Sequence, residues 1–483
     1  MKAVQVKRSK LTLEPDYKRV LIRPFRLSSE ERVVKICARV LVLSEDDVRS
    51  LLQQVLAEFD ERHMKVRNFL RMRFEQIRPW LPTQQKLSEE RELLIGAYFS
   101  HEYSFEATAL FNPSMVPHPD QSDLPEGSLR FALSLRATGE GHISSITFRT
   151  GFLDANCKIT VNEPTRFNLE PAQAPNASYE KPLFTRKLNE LGVNNDFSRQ
   201  VLQDIKDTFT FDELNASLYK AKKQFPADQA TEASANKIIS LAQSNYEVHF
   251  APDSRLSERV LFPATPSQSN GIEDARFVRF QNEDGSFHYY ATYTAFDGRF
   301  ILPQFIETQD FVNFKFVTLN GPAVENKGMA LFPRKINGLY AMLGRQDYEN
   351  LYLMFSDHLH FWHTTQPILK PAFPWEFIQL GNCGSPIETD AGWLVLSHGV
   401  GPMRKYCIGA FLLDRNDPTK LLGRTRDPII APDEQEREGY VPNVVYSCGS
   451  LVHKGQLVIP YAMSDYATTF ATVPLEEVLS AIE

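Results

Sequence analysis

Glu273, Asp274 and Arg276 put two adjacent carboxylates and a guanidinium between Gly271 and the alternating run Phe277-Val278-Arg279-Phe280. Alternation of apolar and polar residues marks a half-buried strand. The carboxylates therefore fall where a loop enters a strand, a place from which a rigid scaffold can aim a side chain into a cleft. A carboxyl held there can act as a general acid. Arg276 has the fork geometry to grip a neighbouring carboxylate and keep it ionised and oriented. The same residues would equally make a turn with a surface ion pair, the commoner fate of a charge cluster. The choice depends on whether the rest of the chain brings other polar residues to the same place.

Composition narrows the classes. The 483 residues carry a net charge of −7, with 42% hydrophobic and 23% charged residues. That is the balance of a globular protein with room for two or three domains and a large core. No basic run stands out, which argues against a nucleic-acid partner. No apolar run of about 18 residues predicts a membrane span. The opening Met1-Lys2-Ala3-Val4-Gln5-Val6-Lys7-Arg8 lacks the apolar core of a signal peptide. Five cysteines, Cys37, Cys157, Cys383, Cys407 and Cys448, are scattered and form no CxxC pair. Neither a metal site nor a disulfide framework is expected, and reduced thiols in the cytoplasm fit best.

Stepping outward from the carboxylates, periodicity divides the chain into residues 1–97, read as mainly helical, and a β domain over 98–483. In the first part Ser44 with Asp47 is a capping-box pattern, and Val48, Leu51, Leu52, Val55, Leu56 and Phe59 follow at helical spacing. In the second, alternating segments at 129–136 and 142–149 flank Gly139-Glu140-Gly141 and predict a β-hairpin. Helical spacing returns at 197–202 and 233–239, so residues 180–245 read as a helical insertion. A unit then recurs, a glycine turn followed by an alternating strand with polar residues at its end. Copies fall at 284–295, 337–345, 391–399 and 454–462, with an earlier one at 127–136. After the insertion the intervals are roughly 50 to 70 residues, the blade spacing of a β-propeller. The polar strand ends, Arg136, Thr294, Arg345, His398 and Asp465, would then converge on one funnel, which makes Asp274 a catalytic candidate.

Several ordered motifs resemble glycoside hydrolase family 130, the mannoside phosphorylases and related β-mannosidases. They are Glu273-Asp274-Ala275-Arg276, Tyr293-Thr294-Ala295-Phe296-Asp297, Asn326-Lys327, Ile336-Asn337-Gly338, Gly384-Ser385-Pro386-Ile387, Ser397-His398-Gly399 and Ala462-Met463-Ser464-Asp465. The resemblance spans roughly residues 105–480. Ala275 stands where the family shows proline, and Gly328 where it usually shows aspartate. The resemblance implies a mainly β fold, a five-bladed β-propeller to which this chain adds the N-terminal helical region and the insertion. It implies an inverting reaction with Asp274 as the acid, acting through the 3-hydroxyl of the mannosyl unit. It implies sugar-binding roles for Asn112, Arg136, Glu273, Arg276, Asp297, Arg345 and Asp465, and phosphate-binding roles for Lys327 and His398. Arg149 and Arg299 are further cationic candidates for phosphate. Tyr293 and Trp393 have family counterparts, although such aromatics more often pack a strand core.

Three functions follow. The first is phosphorolysis of β-mannosides, in which inorganic phosphate attacks the anomeric carbon and α-mannose 1-phosphate leaves. Phosphate is already nucleophilic and anionic, so it needs cationic cradling and no general base. The second is an inverting β-mannosidase, in which a carboxylate such as Glu325 or Glu388 activates water. The third is a sugar-binding propeller without catalysis. The expected partners are a mannose-containing oligosaccharide and inorganic phosphate as co-substrate, with no cofactor and no membrane; a homo-oligomer stays open.

Overall fold

The computed structural model describes residues 4–174, 178–299 and 301–483. The alternating segments form antiparallel strands, and among the described residues five sheets hold four or more strands each. The first contains Ala109–Pro117, Leu129–Thr138 and Ser144–Leu153, with short flanking strands at Ile159–Val161 and Val260–Leu261. The second runs Ile272–Gln281, Phe287–Phe296, Ile301–Thr308, Asn313–Thr318, Tyr246–His249, Ala172–Gln173. The third runs Ala330–Leu331, Tyr340–Gly344, Leu351–Ser356, Thr364–Leu369. The fourth is built on Gln379–Asn382, Gly392–Val400, Tyr406–Leu413 and Leu421–Arg424, and the fifth on Val445–Tyr446, Gln456–Met463 and Ala467–Pro474. The five recurring sequence units each lie in a different sheet, and the predicted hairpin pairs Arg136 with Ile146.

Apolar side chains of these strands meet between sheets. Phe148 packs with Phe277 between the first and second, Phe280 with Met342 between the second and third, and Leu353 with Val395 between the third and fourth. Ile408 packs with Ile459 between the fourth and fifth, and Leu133 with Val458 between the first and fifth. Trp393 is fully buried against Phe332, its indole N–H donating to the Arg415 carbonyl at 2.9 Å. Truncating such a side chain costs about 3–5 kcal/mol, because the cavity does not collapse. Tyr293 is likewise a core residue, tied to Gln268 and Gln304.

Residues 30–98 form four helices, Glu30–Leu41, Glu45–Phe59, Val66–Ile77 and Glu89–Tyr98, around a core of Val33, Cys37, Val48, Phe74 and Leu94. Ser29, Ser44 and Ser88 cap three of them by accepting backbone N–H bonds. The beginning of the chain departs from the helical expectation. Lys7–Leu13 is a strand that pairs with Ala467–Pro474 and completes the fifth sheet, and Val20–Pro24 pairs with Ser100–Ser104. Leu11 and Leu13 give too short an alternation to reveal a strand whose partner lies at the other end of the chain.

The insertion contains helices Lys181–Glu190, Asp196–Gln203, Phe211–Lys222 and Gln229–Gln243. Reciprocal capping boxes at Asn195–Ser198 and Thr210–Glu213 start two of them. Phe184, Phe197, Val201, Leu214 and Ile238 form a core of its own, so its stability draws little on the sheets that carry the site.

Candidate active site

Asp274 sits at a break in its strand. Glu273 pairs with Thr294 and Arg276 with Thr292, so one register step is skipped between them. This is a β-bulge, which re-aims a side chain. Asp274 takes a left-handed backbone, φ 55°, a conformation that Asp and Asn tolerate best among residues with a side chain. The first sheet repeats the device: its register breaks between Phe111 and Ser114, and Asn112 has φ 50°. The two bulges meet. Asn112 Nδ2 donates to Asp274 Oδ1 at 2.6 Å, and the Ser114 hydroxyl accepts the Phe277 N–H at 3.0 Å.

Arg136 clamps both carboxylates. One Nη donates to Asp274 Oδ1 at 3.3 Å, the other to Glu273 Oε1 at 2.8 Å, and Nε donates to the Ser144 hydroxyl at 2.9 Å. Lys327 Nζ stands 3.7 Å from Glu273 Oε2. Burial alone would raise the Asp274 carboxyl, but Arg136, Lys327 and Arg276 hold it down at about 2. Asp465, in the left-handed turn after Gln456–Met463, moves the other way, to about 6. Burial is the main cause, with the Asp274 charge adding to it and Arg136 opposing.

A second pole is cationic. Arg276 is buried and does not fork onto a carboxylate as its spacing predicts. Its Nη1 donates to the Asp274 backbone carbonyl at 3.2 Å and its Nη2 to the Tyr446 phenol at 2.5 Å. The Tyr446 ring lies 4.8 Å from that of His398, and Arg345 Nη1 is 3.2 Å from His398 Nε2. Burial, then the charges of Arg345 and Arg276, hold the His398 imidazole well below its usual range, so it is neutral at pH 7. It accepts from Arg345 at Nε2, and the Nδ1 proton is given to the Asn382 carbonyl at 3.2 Å. Neither Arg276 nor Arg345 has a carboxylate oxygen within ion-pair distance among the described residues, and the Nε of each is buried without a hydrogen-bond partner.

Other candidates lie elsewhere. Arg149 is not at this pole: both its bonds to Glu106 are 2.9 Å, inside a buried cluster with Arg19. Its alternation fits a funnel-facing residue, but a buried carboxylate 43 residues away has claimed the guanidinium. Arg299 is exposed on the turn after Phe287–Phe296, where its backbone N–H is accepted by Asp297 Oδ1 at 2.8 Å. Glu388 is held low by Arg334, with Arg415 also bound, and Glu325 is exposed. Sequence reasoning missed Tyr446 and Asn382, which support Arg276 and His398. Tyr446 ends the run Val444-Val445-Tyr446, an unremarkable strand without its partner in view.

A family model described as beta-1,4-mannooligosaccharide phosphorylase, that of glycoside hydrolase family 130, matches residues 226–483. The chain belongs to glycoside hydrolase family 130. It is 37% identical over 231 residues to a 1,2-beta-oligomannan phosphorylase of Thermoanaerobacter sp. strain X514, covering 46% of this chain and 75% of the relative. It is 31% identical over 257 residues to a beta-1,2-mannobiose phosphorylase of Listeria innocua, covering 51% of this chain and 68% of the relative. A solved structure of beta-1,2-mannobiose phosphorylase from Listeria innocua, in complex with beta-1,2-mannobiose, superposes with a TM-score of 0.46 at 22% identity, over 78% of this chain and 92% of that one. The family match ends at residue 483 and takes in Asp274, Arg276, Lys327, Arg345, His398 and Asp465. Asn112 and Arg136, from the other side of the insertion and outside the matched residues, donate to Asp274 Oδ1 at 2.6 and 3.3 Å.

Proposed function

We propose that the protein is an inverting phosphorylase that cleaves β-mannosides with inorganic phosphate, releasing α-mannose 1-phosphate and a shortened sugar. One observation carries this: Arg276 and Arg345 are buried guanidiniums without a carboxylate partner among the described residues, Arg276 sharing a pocket with Lys327 and acting on Asp274, and Arg345 lying against His398. Buried charge is costly unless paired, and a phosphate dianion pairs both. These two arginines take the role expected of Arg149 and Arg299. His398, being neutral, orients Arg345 and adds no charge of its own.

Asp274 gives its proton to the leaving oxygen through the 3-hydroxyl of the mannosyl unit. Without phosphate its carboxyl is ionised, held by three cations. A dianion beside those cations offsets them and raises the carboxyl toward the protonated form that the reaction needs. The balance closes without a further reagent. Hydrogen phosphate loses its proton overall, the glycosidic C–O bond breaks, a C–O bond to phosphate forms, and the freed sugar hydroxyl carries that proton. Asp465, Asn112 and Glu273 are assigned to the hydroxyls of the mannosyl unit, which suit carboxylate and amide partners. A water-activating base finds less support, because Glu388 is bound by two arginines.

We also infer a five-bladed propeller, supported by five sheets whose apolar clusters join each to two others. The five cysteines are unpaired and buried, which supports a reducing cytoplasmic setting. The test is a panel of β-linked mannobioses with and without phosphate, read by the sugar released. Both relatives described above are named for β-1,2 linkages, so β-1,2-mannobiose heads the panel. Phosphate-dependent α-mannose 1-phosphate is expected. Free mannose at an equal rate without phosphate would make the protein a β-mannosidase, and an intact but bound glycan would make it a sugar-binding propeller.

A further inference from the structure

Two exposed rings, beside the turns that adjoin Arg136 and Asp465, have no part in the chemistry above. His142 ends the turn Glu140–His142, between the strands that carry Arg136 and Ser144. Tyr440 belongs to a loop packed on the turn that holds Asp465, for the Val441 N–H donates to the Ser464 carbonyl at 2.9 Å. The rings stack with centroids 5.6 Å apart and planes inclined by 30°, and the Tyr440 hydroxyl lies 3.4 Å from His142 Nδ1. Tyr440 is 55% exposed, and His142 is held in a left-handed backbone at φ 60°. The His142 backbone is that of the hairpin turn, beside Gly141 at φ 67°, and it turns the imidazole outward onto the Tyr440 ring.

Inversion requires nucleophile and leaving group on opposite faces of the sugar ring. The cationic pole, Arg276, Arg345 and His398, marks the nucleophile's face. The acid pole, Asp274 with its clamp Arg136, marks the face from which the leaving oxygen departs. The stacked rings belong to the acid pole. His142 is two residues from Ser144, whose hydroxyl holds Arg136, and Tyr440 adjoins the Asp465 turn.

We propose that His142 and Tyr440 form the leaving-group subsite, a ledge that takes the apolar face of the pyranose released with the protonated oxygen. The ledge rests on the phosphorolytic reading and adds to it the class of acceptor, a hexopyranose with an exposed C–H face. Aromatic rings of this kind pack on such faces, and the pairing accounts for their exposure.

The test uses the full-length protein, with Tyr440→Ala, His142→Ala and Tyr440→Phe compared with the parent. Phosphorolysis of a cleaved β-mannobiose gives the KM for the disaccharide and for phosphate. Synthesis from α-mannose 1-phosphate and mannose gives the KM for each of those. The alanine variants are expected to raise the KM for mannobiose and for acceptor mannose by about 3- to 10-fold. The KM for phosphate and for α-mannose 1-phosphate should stay at the parent's values, and Tyr440→Phe, which keeps the ring, should raise the KM for mannobiose less than Tyr440→Ala does. A loop that merely props up Asp465 would raise the KM for α-mannose 1-phosphate together with that for mannose, and this overturns the ledge. An unchanged KM for mannobiose in both alanine variants also overturns it. A parent that phosphorolyses no mannoside overturns the functional reading itself, and that failure is visible before any variant is made.

Discussion

Two pairs of buried arginines behave in opposite ways. Arg19 and Arg149 are 2% and 3% exposed, and Arg276 and Arg345 are 3% and 7% exposed, so burial does not separate them. Their partners do. Arg19 and Arg149 share the fully buried Glu106, and Arg19 also donates to Asn168 and to the Ser257 carbonyl. Even so, burial, with the neighbouring Arg149 charge behind it, pushes Arg19 down to about 10. That cluster ties the N-terminal segment to the first sheet. Arg276 and Arg345 receive a carbonyl, a phenol and a neutral imidazole, and no carboxylate among the described residues. A cation satisfied by its own chain holds structure, whereas one left to neutral acceptors is available to an anionic substrate.

Breaking each half separately should give distinct phenotypes. The largest effect belongs to Asp274, the proposed acid, beside Arg276. Asp274→Asn keeps shape and removes the proton donor, so kcat should fall by about 10²–10⁴-fold while the melting transition stays cooperative. Near-parental turnover would remove Asp274 from the mechanism.

Glu106→Gln should strike the other half. It leaves two guanidiniums buried without a counter-charge, at a cost of about 3–5 kcal/mol in unfolding free energy. Denaturant titration measures this, and the KM for phosphate in the surviving folded protein should match the parent's. A stable Glu106→Gln would mean that Arg19 and Arg149 are satisfied by neutral acceptors after all, and the contrast between the pairs would collapse.

Arg345→Ala should show the reverse pattern. The KM for phosphate is expected to rise roughly 10- to 150-fold, the loss of one charge-assisted contact. Stability without phosphate should hold or improve, because a like charge near Arg276 is gone. Phosphate at about 100 times its Kd should stabilise the parent by about 2.7 kcal/mol, and Arg345→Ala should lose about half to nine-tenths of that gain at the same concentration.

The smallest effect is a pH dependence. The Asp465 carboxyl lies at about 6 in the folded protein, above its ordinary 3.8. Between those values the folded state holds a proton that the unfolded chain has released. Its contribution to stability is therefore complete below the unfolded value and disappears as pH rises through 6. Asp465→Asn should flatten the melting temperature between those limits and raise it by about 2 °C at neutral pH. Asp274 contributes with the opposite sign: its carboxyl is lowered to about 2, so its stabilisation is present at neutral pH and is lost as pH falls below 3.8.

Much of the architecture was legible because strand periodicity is local. The five alternating units read from the chain lie in five sheets, and the hairpin at 129–149 pairs as its turn residues dictate. The first strand, Lys7–Leu13, was not legible, since its partner Ala467–Pro474 is supplied by the far end of the chain.

By itself the sequence determined that Asp274 stands at the entry of a strand between a glycine and an apolar alternation; the bulge and its left-handed backbone came only with the structure. The sequence also determined the residue types at the strand ends. Only the tertiary structure decided which charges are spoken for. Arg149 and Arg345 look alike in the chain, each a cation on an alternating strand. The carboxylate that neutralises Arg149 is 43 residues away, and the phenol that receives Arg276 is 170 residues away. Alternation sets which face a side chain takes, whereas its electrostatic partner depends on what the folded chain packs against that face, and a buried charge feels that partner at a few ångströms.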